Sequence, residues 1–377
     1  MLLETMVTTM TKLEQLIEEL CPDGVEYKRI SDTVGLNRGA RLTKEQLSDE
    51  YNYEVYHGSK DTPLGRYYEF NAPANTTIVV NTGGIGGVKY LDKPFWCSDG
   101  SFWLGHCDEV NDKYLYYCLA GYEDYFFSKK RIGGVPTIDR SVVEQFKIPV
   151  PPLPVQREIV KILDNFTELT AELTAELTAR KKQYEYYRDG LLSFDTRVER
   201  KKLGDIVMIT RGVRVVRENL ATEGLYPVFQ NSLTPLGYAV APNRDGDTTF
   251  LIAAGAAGEI GYCKEAFWAA DDCFCFDCPE SLNSRYLYHA LKNQQALIFS
   301  KVRRSSVPRI SRNDVEQLKI AFPDITIQRR IASVLDNFDA ICSDLNIGLP
   351  AEIEARQKQY KYYRDKLLLF KEITAGE

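Results

Sequence analysis

Arginine and lysine recur in one pattern at two places in this chain. Arg38-Gly39-Ala40-Arg41 is followed by Lys44, and Arg211-Gly212-Val213-Arg214 is followed by Arg217. A second basic cluster, Lys129, Lys130 and Arg131, returns as Lys301, Arg303 and Arg304, with Arg309 and Arg312 close behind. These side chains neutralise phosphates, and an arginine can also grip guanine O6 and N7 with two hydrogen bonds. An isolated surface cation is usually only solvated. Two clusters that return at matching positions in otherwise diverged halves weaken that bland reading. Polar turn residues form a second class of candidates. Tyr56-His57-Gly58-Ser59 aligns with Phe229-Gln230-Asn231-Ser232. Gln and Asn can read adenine through two bonds, although ordinary hairpin polarity explains such residues equally well.

Other constellations carry less. No GxxxxGK[ST] and no HExxH is present. His57, His106 and His289 do not repeat between the halves, which argues against a shared histidine site. Two glycine runs, Asn81–Gly87 and Ala253–Gly258, lack the following helix and downstream acid of a dinucleotide fingerprint, so they are expected to be tight turns between strands. Cys273-Phe-Cys-Phe-Asp-Cys278 invites a zinc reading. Its counterparts are Ser101, Trp103 and His106, and alternating Cys and Phe suits a buried strand.

The elements that must position these groups come in two copies, offset by 172 or 173 residues. Thr62-Pro63-Leu64-Gly65 repeats as Thr234-Pro235-Leu236-Gly237, Phe95-Trp96 as Phe267-Trp268, and Val143-Glu144-Gln145 as Val315-Glu316-Gln317. Each copy begins with short Val-, Ile-, Tyr- and Phe-rich runs broken by Gly, Pro and Asn, which predicts strands, turns and a few helices. Each then changes period. Ile159, Leu163, Phe166, Leu169, Leu173, Leu177, Tyr184, Tyr187 and Leu191 form one apolar helical stripe, expected from about Pro154 to Phe194. Ile331, Leu335, Phe338, Ile341, Leu345, Tyr360, Tyr363 and Leu367 form the second, where Gly348-Leu349-Pro350 predicts a kink or a new helix start. The first stripe holds Thr-Ala-Glu-Leu twice, Thr170 to Leu177.

Composition sets the outer bounds. Of 377 residues, 44% are hydrophobic and 27% charged, ordinary for a globular protein of two or three domains. The net charge of −6 alone would argue against nucleic acid, but a total says nothing of where charges lie. Nine cysteines in no repeated framework, a start without a basic-then-apolar leader and no apolar span predict reduced thiols, no membrane and a cytoplasmic location.

The phrases VPTIDRSVVEQFKIPVPPLPVQREIVKILDNF and ARKKQYEYYRDGLLSF resemble type I restriction-modification specificity subunits. So do VPRISRNDVEQLKI, LPAEIEARQKQYKYYRDKLLLF and the opening LEQLIEELCPDGVEYKRISD, and the likeness runs over essentially the whole chain. The resemblance implies an α+β fold with a pseudo-twofold internal repeat. Two similar α/β target recognition domains would be separated by two long antiparallel, coiled-coil-like helical segments. The expected boundaries are 1–152 for the N-terminal helix and first recognition domain, and 153–194 for the central helical spacer. The second recognition domain would span 195–324 and the C-terminal spacer 325–377. Each domain would read half of a bipartite, asymmetric site on double-stranded DNA. The helices would set the spacing and dock two methyltransferase subunits, with ATP-dependent nuclease subunits joining in the restriction complex. S-adenosylmethionine, ATP and Mg would then belong to partners, and this chain would be neither an enzyme nor a metal protein. Two other readings stand beside it. A methyltransferase or nuclease with unrecognised motifs would need its own pocket, so the isolated chain would bind S-adenosylmethionine. A coiled-coil scaffold without a DNA role explains the helices but not the repeated basic clusters.

Overall fold

The computed structural model describes residues 12–131, 133–195, 197–216, 218, 220–343 and 348–373. Arg217, Leu345 and the Asn346-Ile347 pair fall outside them. Contacts group the chain into two units, residues 1–173 with 353–377 and residues 174–352.

In the first unit the strand Thr76–Val80 is buried along its whole length, as its unbroken β-branched sequence requires of a central strand. It lies between Ser101–Leu104 and Val88–Leu91, with Leu36–Arg38 on the outer edge, all antiparallel. A second sheet sets Tyr53–Tyr56 antiparallel to Gly65–Tyr67 and parallel to Trp96–Cys97. Tyr27–Arg29 pairs with Lys147–Pro149. The second unit repeats every step. Its four-stranded sheet runs Met208–Arg211, Cys273–Asp277, Thr248–Ile252, Ile260–Cys263, and its three-stranded sheet Gly237–Ala239, Tyr226–Phe229, Trp268–Ala269. The repeat seen in sequence is thus a repeat of strand order.

The Cys-Phe run is a strand, Cys273–Asp277, whose alternation serves two cores. Phe274 and Phe276 face one apolar cluster, Cys273 and Cys275 the other. Burial pushes the Cys275 and Cys278 thiols up to about 12, which keeps them protonated. Among the described residues no group of three His, Cys, Asp or Glu side chains is placed to hold a metal, and no helix is long and apolar enough to cross a membrane.

The repeated glutamine of Gln156-Arg157 and Gln328-Arg329 has a structural reason. Both amides are fully buried. Gln156 accepts from the Asn111 N–H at 2.8 Å and donates to Glu109 O and Pro151 O at 2.8 and 2.7 Å. Gln328 makes the same three bonds, to Asn283, Ser281 and Pro323. Asn111 and Asn283 in turn cap the helices Asp112–Ala120 and Ser284–Asn293. Each long helix is therefore fastened at its first turn to the capped helix of its own unit.

The first long helix runs Leu153–Leu191, 39 residues, and stops short of Phe194. Gly190 weakens its last turn, where Ser193 N–H bonds back to Gly190 O, and Phe194 turns into the second unit's core. Ile159, Leu163, Phe166 and Leu173 of the stripe are buried in the first unit, and Tyr184 and Leu191 pack on the core of the second. The second stripe is held by two helices, Ile325–Ser343 and Leu349–Leu367, in line with the Gly-Leu-Pro signal. Ile341, expected on that stripe, is instead 42% exposed: the inward face steps from Leu335 and Phe338 to the buried Cys342, four residues after Phe338 rather than three. The two aromatic anchors are exchanged between copies. In the first unit Phe166 stacks on Tyr363, at 5.3 Å; in the second its counterpart Phe338 stacks on Tyr187, at 5.4 Å. The C-terminal strand-like segment also belongs to the first unit, where Val25 N–H donates to Lys371 O and the Tyr27 hydroxyl to Phe370 O.

Candidate nucleic-acid interface

The glycine runs are the turns of one hairpin in each unit, joining a central strand, Thr76–Val80 or Thr248–Ile252, to the edge strand Val88–Leu91 or Ile260–Cys263. Gly83 and Gly255 adopt φ of +77° and +85°, a left-handed conformation that glycine reaches without steric cost. Space matters as well: a Cβ on Gly83 would come within 2.6 Å of Gly58 O, and one on Gly255 within 2.7 Å of Asn231 O. The turn therefore lies directly against the polar loop that carries His57 and Ser59, or Gln230, Asn231 and Ser232.

Backbone bonds tie three further segments to that contact. In the second unit Ala256 N–H donates to Asn231 O, Gly255 N–H to Pro308 O and Ile310 N–H to Ala253 O. The loop 303–309 closes on itself through Arg303 and Arg309, each donating its N–H to the other's carbonyl. Ala270 N–H donates to Phe229 O, and Arg211 Nε donates to Asp271 O at 2.6 Å. Hence Arg211, the Gln230–Ser232 loop, the glycine turn and the Arg303–Arg309 loop form one continuous rim. The first unit repeats it. Gly84 N–H donates to Gly58 O, Ser98 N–H to Tyr56 O, Asn81 N–H to Gly100 O and Ile138 N–H to Asn81 O, while Arg131 N–H closes its loop on Thr137 O.

Two carbonyl–indole bonds hold the Arg-Gly-X-Arg motif in place. Trp96 Nε1–H donates to Ala40 O at 2.7 Å, and Trp268 Nε1–H to Val213 O at 3.0 Å. The strand residues Arg38 and Arg211 pair with Phe102 and Phe274 across the sheet edge. Arg41, Lys44 and Arg214 lie further along, with Lys44 opening the short 3-10 turn Lys44–Gln46. None of these three is joined to the rim by a hydrogen bond.

The charges on this rim are largely uncompensated. Arg131 is ion-paired, with Asp139. Among the described residues Arg38, Arg41, Lys44, Lys129, Lys130, Arg211, Arg214, Lys301, Arg303, Arg304 and Arg309 have no carboxylate partner. The neighbouring Arg140 and Arg312, by contrast, are paired with Glu144 and Glu316. Lys129 sits over Tyr125 and Lys130 over Phe127, at 5.3 and 3.6 Å. The loop side chains are also free to meet a ligand. Gln230 and Asn231 make no side-chain hydrogen bond among the described residues. The Ser232 hydroxyl donates to Thr234 O, and the Ser59 hydroxyl accepts from the Asp61 and Thr62 N–H groups.

The segments Ser98–Gly100 and Ala270–Asp272 carry no candidate residue in the sequence, although Asp99 and Asp271 occupy matching positions of the repeat. They are nonetheless the hubs of the rim. His57 Nδ1 lies 3.1 Å from Ser98 Oγ and 3.2 Å from Asp99 Oδ1. A carboxylate can only accept, so Nδ1 carries the proton toward Asp99, which leaves Nε2 as the acceptor of the ring.

The profile of the family described as "Type I restriction modification DNA specificity domain" matches residues 22–180 and 196–355. A type I restriction enzyme specificity subunit from Escherichia coli is 34% identical over 97% of this chain and 98% of its own. A putative type I restriction enzyme specificity subunit from Haemophilus influenzae is 28% identical over 96% and 98%. Among solved structures, the S subunit of a type I restriction-modification system from M. genitalium superposes with a TM-score of 0.69 over 93% of this chain and 98% of that one, at 22% identity, a likeness of fold.

Proposed function

The chain belongs to the family of type I restriction-modification DNA specificity subunits, and from that premise we propose that each of its two units reads one half of a bipartite DNA target through its glycine-turn rim. Specificity subunits are the non-catalytic, DNA-recognising members of type I systems. The observation that carries the proposal is the row of cations without carboxylate partners on the rim of both units, joined in the second unit by the unspent side chains of Gln230 and Asn231. The cations would hold phosphates and fix register; Gln230, Asn231 and His57 would meet base edges in the major groove. The helical segments would dock two methyltransferase subunits, with nuclease subunits joining in the restriction complex. S-adenosylmethionine, ATP and Mg would be bound by those partners.

The test removes three rim charges at once. Arg303→Ala, Arg304→Ala and Arg309→Ala are combined, and the chain is assembled with its methyltransferase. Each lost phosphate contact lowers the slope of log K against log salt by about 0.9, so three should remove about 2.7, or roughly 40-fold of the salt sensitivity between 50 and 200 mM. An unchanged slope would return these arginines to solvated surface.

A further inference from the structure

Each unit's short rim helix carries, one residue before its end, a phenylalanine that the core does not use. The helices are Glu123–Ser128 and Gln295–Ser300, and Phe127 and Phe299 occupy the same repeat position in them. They are 50% and 46% exposed, whereas the preceding Phe126 and Ile298 are fully buried and fill the core. Singly exposed apolar side chains are common and need no explanation. Two rings at one repeat position, in units whose interiors differ, are a different matter.

Their surroundings narrow the partner. Each helix packs on the glycine turn of the rim: a Cβ on Gly86 would meet Phe127 N at 2.9 Å, and one on Gly258 would meet Phe299 Cδ1 at 3.1 Å. A cation lies over the Phe127 ring, and cations follow Phe299 closely in sequence. Lys130 Nζ stands 3.6 Å from the Phe127 centroid, with Lys129 and Arg131 adjoining, and Phe299 is followed by Lys301, Arg303 and Arg304. An apolar ring near cations that mostly lack a carboxylate partner suits a polyanion that also offers apolar surface. Nucleic acid does so, through sugar faces, thymine methyls and the faces of partly unstacked bases.

We infer that Phe127 and Phe299 are the apolar DNA contacts of the two units, each pressing on a base edge or sugar of its half-site while the flanking Lys and Arg side chains hold the phosphates. The inference rests on the rim being the DNA interface. Because the ring carries no charge, its removal leaves the electrostatic part of binding intact. Its signature is a loss of target affinity without a change in salt slope.

The experiment uses the complex of the full chain with its methyltransferase, with Phe299→Ala and Phe299→Leu, on the target duplex found by methylome mapping and on an unrelated duplex. A 2-aminopurine placed in the half-site read by the second unit reports on local stacking. Phe299→Ala is expected to weaken target binding about tenfold, to leave the salt slope and the unrelated duplex unchanged, and to abolish the 2-aminopurine response; Phe299→Leu falls between. Unchanged target affinity, alongside a reduced salt slope in the triple arginine variant, would overturn the phenylalanine assignment and leave the interface standing. Unchanged behaviour in both would remove the interface itself. Failure of the Phe299→Ala chain to co-elute with the methyltransferase would assign the ring to a protein contact and overturn the inference. So would a lowered melting temperature that Phe299→Leu restores together with full affinity.

Discussion

Gly212→Ala should disable the second unit without removing a single charge. Gly212 sits between Arg211 and Arg214, and a Cβ there would overlap the carbonyl oxygens of both Ala269 and Ala270. The closest C···O contacts that proteins tolerate are about 3.3 Å, so the strand must retreat by roughly 1 Å. Three hydrogen bonds cross the gap that would open: Gly212 N–H to Cys273 O at 3.0 Å, Val213 N–H to Ala269 O at 2.9 Å, and Trp268 Nε1–H to Val213 O at 3.0 Å. At about 1 kcal/mol each, the loss is about 3 kcal/mol. For a unit of this size that corresponds to roughly 6–12 °C in melting temperature. Arg211, whose Nε bonds Asp271 O at 2.6 Å, moves with the strand, so affinity for the half-site read by this unit falls as well. Gly39→Ala repeats the perturbation in the first unit, where the obstructing carbonyls are those of Cys97 and Ser98. Differential scanning calorimetry on each variant reads the two units separately. A Gly212→Ala chain that melts like the unsubstituted protein and methylates both half-sites would refute the reasoning, because the glycine would then be one choice among many.

Two other perturbations act on the helices. Inserting one more Thr-Ala-Glu-Leu after Leu177 lengthens an ideal helix by about 6 Å and turns it by about 40°. The turn is close to the roughly 36° of one base pair, so the nonspecific spacer should grow by one base pair with both half-sites kept; methylome sequencing that finds the old spacer at full activity would remove this helix as the ruler. His289 is fully buried, with Nε2 2.7 Å from Asp336 Oδ1 and Nδ1 without a partner. Burial holds its pKa below the ordinary 6.5, against the opposing pull of Asp336. The unfolded chain therefore takes the proton first as pH falls, and the second unit loses stability below about pH 6.5. Denaturation curves at pH 7.5 and 5.5 should show that loss, and His289→Gln should flatten it; an equal loss in the variant would place the pH dependence elsewhere.

What the sequence disclosed was whatever depends on neighbours in the chain or on the repeat. Strand and turn punctuation, the Cys-Phe strand, the glycine turns and the apolar stripes are local patterns, and the structure has them. The structure also brings the repeated candidate segments of each unit together on one rim, because duplicated units place matching loops alike. Contacts between distant residues were not legible. Nothing in the sequence announced that Gln156 would bridge Asn111, Glu109 and Pro151, although its match with Gln328 marked it. The exchange of Phe166–Tyr363 for Phe338–Tyr187 was equally hidden, since it pairs residues nearly 200 positions apart in one unit and about 150 in the other. Charge pairing was the third gap. Arg131 was grouped with the free cations, yet Asp139 neutralises it, and only the folded loop brings the two together.

The central claim is that two separate rims read two separate half-sites. Replacing residues 195–324 with the matching segment of a relative, then co-expressing the hybrid with the methyltransferase and sequencing the methylome, tests it most directly. The account predicts that one half of the methylated sequence changes while the other half stays as it was. A hybrid in which both halves change together would contradict it.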